Sequence, residues 1–119
     1  MAQHTGIVPV PVAFTGNGTV QIPAAAADVP RAPTRTKGSL QVILSGGSNF
    51  TGGTVSVYPS NDGVNRDATA LATFTIGTDS SGGMKFWLDK PCGALAVVAA
   101  GLTGGSGTPT ATAWVAWSD

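Results

Sequence analysis

The sequence predicts an all-β domain: a β-sandwich or small jelly roll with an extended N-terminal arm. Three observations carry that expectation. The 119 residues include no glutamate and few of the other residues that favour helices. Short runs rich in Val, Thr and aromatic residues alternate apolar with polar side chains, the period of a strand buried on one face. Between those runs stand clusters of Gly, Ser, Asn and Asp, the residues that tight turns demand.

Residues 1–37 read as the arm. They hold Pro9, Pro11, Pro23, Pro30 and Pro33, and proline lacks the N–H that a central strand needs. One short strand is expected at Gly18–Ile22, where Val20 and Ile22 alternate with Thr19 and Gln21. Ala24–Ala27 has room for no more than a single turn between Pro23 and Pro30.

Residues 38–119 read as the sandwich. Leu40, Val42 and Leu44 share one face of a first strand. Val55 and Val57 oppose Thr54, Ser56 and Tyr58 in a second. Ala72, Phe74 and Ile76 alternate with Thr73 and Thr75. Met84, Phe86 and Leu88 are read as the inward set of the next strand, with Lys85, Trp87 and Asp89 outward. Leu95, Val97 and Ala99 follow. Last come Ala111, Ala113, Val115 and Trp117, opposite Thr110, Thr112 and Trp114. Turns fall at Ser45–Asn49, Gly52–Gly53, Ser60–Gly63, Thr78–Gly83 and Gly101–Pro109. The spacing suits a β-sandwich or small jelly roll and leaves jelly-roll and immunoglobulin-like strand orders open.

A single cysteine, Cys92, rules out an internal disulfide. Met1–Val12 shows no basic stretch followed by a long apolar run, so no signal peptide is expected. The longest apolar run, Ala94–Ala100, is too short to span a bilayer as a helix. The expectation is a soluble protein with no membrane partner. Only 10% of residues are charged, against about a quarter in ordinary domains. Such a surface associates readily, although a coat of Ser and Thr hydroxyls is the other reading. Arg31, Arg35 and Lys37 outweigh Asp28 in the arm, while the body is slightly acidic.

Catalytic chemistry finds little to work with. His4 stands near the N-terminus with no oriented serine and acid beside it in sequence. No nucleophile elbow occurs. Asp62 and Asp67 share one loop, Asp79 lies in another and Asp89 ends a strand, without a glutamate to serve as proton donor. Ser60, Asn61, Asp62, Asn65 and Asp67 form an oxygen-rich loop that suits either Ca²⁺ or a turn held by its own side chains; the second is favoured. There is no zinc spacing, no phosphate-cradling loop and no basic stripe for nucleic acid. The expectation is no enzyme, no metal and no cofactor. Tyr58, Trp87 and Trp114, read as outward-facing, are candidates for a subunit contact or for stacking on sugars, against ordinary core packing.

The stretch Gly53-Thr54-Val55-Ser56-Val57-Tyr58-Pro59-Ser60-Asn61-Asp62-Gly63 resembles small structural proteins of tailed bacteriophages. There a Thr-Val strand runs into a Ser-Asn-Asp-Gly turn, followed by a variable loop, an Ala-Thr-Phe strand and Thr/Val-rich strands. The resemblance covers residues 38–119, with Arg66 in the neighbourhood where many such sequences place a tryptophan. It implies a virion component without catalysis: a capsid decoration (cement) protein, or a head–tail or fibre accessory. The implied partners are the major capsid protein and copies of this chain, in a particle assembled in the host cytoplasm. The arm offers apolar contacts from Ile7, Val8, Val10, Val12 and Phe14, and basic ones from Arg31, Arg35 and Lys37. The alternative is a carbohydrate-binding or adhesive module that takes a host-surface glycan on Tyr58, Trp87 and Trp114.

Overall fold

A computed structural model describes residues 7–22, 35–46, 48–62 and 64–118, with side chains from residue 11 onward. These residues form eight strands and no helix: β1 (Ile7–Phe14), β2 (Gly18–Ile22), β3 (Lys37–Ser45), β4 (Gly52–Ser60), β5 (Ala72–Thr75), β6 (Met84–Trp87), β7 (Ala94–Thr103) and β8 (Thr110–Ser118). They pair antiparallel in two four-stranded sheets, ordered β1-β8-β3-β6 and β2-β7-β4-β5.

The pairing is nested. β1 meets β8, β2 meets β7, β3 meets β6 and β4 meets β5, as in one long hairpin wrapped into two layers. That is jelly-roll connectivity, and it resolves the strand order that the sequence leaves open.

The core lies between the sheets and follows the period-two pattern. β3 sends in Leu40 and Val42, β4 sends Val55 and Val57, and β7 sends Leu95 and Val97, all fully buried. β8 contributes Ala111, Ala113, Val115 and Trp117, and Phe74 fills the space under β5. Burying side chains of this kind stabilises a fold by roughly 1.5–3 kcal/mol each.

Two expectations need correction. The first is the boundary at residue 37. β1 and β2 are each an outer strand of one sheet, paired with this chain's own β8 and β7. Val12 and Phe14 are 7% and 5% exposed within the shared core. The prolines led to the arm reading because they exclude a central strand, yet an outer strand tolerates them where the missing N–H would have faced away from the sheet. The Ala24–Ala27 run lies outside the described residues.

The second is the phase of β6. Trp87 is 4% exposed, whereas Phe86 is 70% and Leu88 66% exposed. Gly38 of β3 explains the inversion. It pairs with Trp87 on one side and Trp117 on the other. A Cβ at Gly38 would collide with the Trp87 ring and with the Ala116 carbonyl. The absent side chain leaves space for an indole, so Trp87 turns inward and Met84 and Phe86 turn out.

Candidate functional site

The outer face of the β1-β8-β3-β6 sheet is the candidate site, and the inward demands of the core create it. Once Leu40, Val42, Val115 and Trp87 face inward, the alternate residues of the same strands must face out. Pro11, Trp114, Gln41 and Met84 then form one row across all four strands. Ala116, Ser39 and Phe86 form a second row, and Ala13, Thr112 and Ile43 a third. Phe86 and Met84 are well exposed, Ile43 is 39% exposed, and Trp114 is half-buried.

Lys37, exposed at one end of β3, is the single charged residue that this alternation puts on the described face. Gln41 Nε2 donates to the Gly82 carbonyl at 2.9 Å, and Gly82 N–H donates to the Val42 carbonyl at 2.7 Å. These bonds hold the 80–83 turn against β3 beside the exposed Met84. The result is a firm, nearly uncharged surface with apolar side chains standing on it. Protein interfaces have this chemistry at their centres, where aromatic residues and Met are enriched and charge is depleted.

The sequence-derived aromatic trio does not converge. Trp114 stands on the outer face of this sheet and Trp87 lies in the core. Tyr58 stands on the outer face of the other sheet, where the Arg66 guanidinium sits 4.8 Å from its ring centroid. The stacking surface of Tyr58 is thus engaged by a cation from its own chain. Alternation does not place Trp87, because a four-residue strand with apolar residues in both phases gives it nothing to choose between. The same ambiguity hid Phe86 and Met84; Gly38 is the signal that could have revealed them.

The arm residues divide as well. Val12 and Phe14 are committed to the core. Arg35 is 9% exposed; its backbone pairs with Cys92, and its guanidinium lies 4.8 Å from the Trp117 ring centroid. These three act inside the chain, and among the described candidates of the arm Lys37 alone is exposed. Arg31 and His4, with the side chains of Ile7, Val8 and Val10, lie outside the described residues.

The oxygen-rich loop is a turn held by its own side chains. Asp62 Oδ1 accepts the Val64 and Asn65 backbone N–H groups at 2.8 and 2.7 Å, and Asp62 Oδ2 accepts Asn65 Nδ2 at 2.8 Å. The Val64 N–H, then the Asn65 amide and backbone N–H, hold the Asp62 carboxyl well below the usual carboxylate range. Asp79 accepts the Thr75 N–H and an ion pair from Lys85 at 2.9 Å, which lower its pKa too. Both carboxylates are engaged structurally. Near the loop, two shallow hollows of about 230 and 300 Å³ share Pro59, Asp67 and Pro91. Neither is lined by an aromatic ring on which a sugar could stack. Cys92, 2% exposed, has its thiol pKa pushed up by burial.

The sequence matches no known family model and no curated protein.

Proposed function

We propose that this chain is a non-enzymatic structural protein of a tailed-phage particle, a capsid decoration protein that stabilises the head. It acts by burying the outer face of its β1-β8-β3-β6 sheet on neighbouring shell subunits. The observation that carries the reading is that face, with Phe86, Met84, Ile43 and Trp114 exposed or half-exposed on a surface almost without charge. The resemblance of residues 53–63 to phage structural proteins supplies the kind of partner. The jelly roll supplies a rigid support, although the architecture serves lectins and capsids alike and does not itself decide function.

The proposed mechanism differs from a clip by an extended arm. With β1 and β2 built into the sheets, the contact is a preformed surface that loses little conformational entropy on binding. A decoration protein that bridges two shell subunits raises the cost of separating them. Particles made without this chain should therefore rupture at a lower temperature, and adding the purified chain back should restore the loss. Equal rupture temperatures with and without the chain would contradict the stabilising role. A shift in tryptophan emission on adding a polysaccharide, with no binding to particles, would favour the glycan-binding alternative.

A further inference from the structure

Two four-stranded sheets present four outer strands: β1 and β6 in one, β2 and β5 in the other. Open strand edges invite pairing with another chain, and proteins blunt them with proline, charge or short length. Three of the four are blunted. β1 carries Pro9 and Pro11, which have no N–H to offer. β5 has four residues, and its Thr75 N–H is taken by Asp79 Oδ2 at 2.8 Å. β6 also has four residues and carries Lys85, whose ammonium bridges to the same Asp79 carboxylate.

β2, one residue longer than β5 and β6, has neither proline nor charge. Gly18–Ile22 pairs with β7 at five consecutive positions without a bulge. No described strand pairs with its other side. Val20 adds an independent observation. It is in register with Val97, which is fully buried on the core side, yet Val20 itself is 38% exposed. It is a core-facing residue at an edge beyond which no described strand lies.

We propose that β2 pairs with β2 of a second copy, antiparallel, joining two sandwiches through one continuous sheet of eight strands, four from each copy. The strand itself argues for a second copy as the occupant. An uncharged segment meets no like-charge opposition when paired with itself, and an isologous contact must be self-complementary. Centring the two-fold axis on Val20 places it beside the partner's Val20, so each exposed side chain covers the other. Thr19 then faces the partner's Gln21 on the polar side, and Gly18 faces the partner's Ile22. The inference does not depend on what the outer face of the other sheet binds.

Sedimentation equilibrium of the full chain over a concentration series tests it. The expected mass is twice the 11.8 kDa of one chain. Val20→Lys, which sets two ammonium groups on the axis, should give the single-chain mass with an unchanged far-UV spectrum. Val20→Cys keeps the proposal testable if that variant does not fold. Directly opposed residues of an antiparallel pair lie about 4.5–5.5 Å apart at Cα, within reach of a disulfide. Mild oxidation should cross-link Val20→Cys into a covalent dimer and leave Phe86→Cys single. Buried Cys92 does not compete. A single-chain mass at every concentration, a dimeric Val20→Lys, a mass above two chains, or cross-linking of Phe86→Cys in place of Val20→Cys would each overturn it.

Discussion

At the residue scale, Gly38 and Phe86 carry opposite kinds of information. Gly38 is a packing requirement, because its missing Cβ makes room for Trp87 between β3 and β6 and the Ala116 carbonyl closes the other side. Gly38→Ala is expected to destabilise the fold by about 1–3 kcal/mol, the usual cost of overpacking, read as a lower midpoint in urea. Trp87→Ala removes the indole from the core and should cost about 3–5 kcal/mol. Phe86→Asp changes a side chain that is 70% exposed and should leave the midpoint within about 0.5 kcal/mol of the parent. This contrast reverses what alternation alone suggests, since residues 84–89 fit either phase. The carboxylates make a further prediction. Asp62 and Asp79 titrate lower in the folded chain than in the unfolded one, so the stability they supply is present above the ordinary carboxylate pKa of about 4. It is lost as the pH falls below that value toward the folded pKa. The thermal midpoint should hold between pH 7 and pH 5 and drop below about pH 4. Asp62→Asn, which keeps an acceptor for the Val64 and Asn65 N–H groups, should flatten part of that drop.

At the element scale, five of the six body strands are legible in place and phase because their apolar residues recur at period two, and β6 is legible in place alone. β2 is legible by the same period. β1 is not, because Pro9 and Pro11 hide a strand whose inward residues, Val12 and Phe14, reveal themselves only once β8 lies beside them. Proline records that no hydrogen bond is available on one side, and an edge strand has one side to spare. Removing residues 1–37 therefore takes an outer strand from each sheet and uncovers Val115 and Val97 at their margins. Residues 38–119 alone should lose the cooperative melt of the full chain, measured by calorimetry. A truncated chain with an unchanged melt would return β1 and β2 to the status of a dispensable arm.

At the scale of the whole molecule, composition and turn spacing lead to a sandwich, and the nested pairing makes it a jelly roll. The nesting joins chain ends that alternation cannot connect, since period two reports which side of a strand is buried and not which strand lies next to it. The candidate surface was legible only in part for the same reason. Trp114 was found from its own strand, whereas the row of Pro11, Trp114, Gln41 and Met84 exists only through the register of four strands. A low charge content marks the strands of both sheets, which carry only Lys37 and Lys85; exposed Phe86 and Met84 are what set the outer face of the β1-β8-β3-β6 sheet apart. On the reading proposed above, that face holds the chain on a phage head.

The occupancy of this chain on purified particles, assembled with either the parent chain or Phe86→Asp and quantified by mass spectrometry against the major shell protein, tests that reading most directly. The account predicts the parent chain at a fixed ratio to the shell protein and Phe86→Asp largely missing, although the variant folds and melts as the parent does. Equal occupancy of the two, or particles that contain neither, would contradict it.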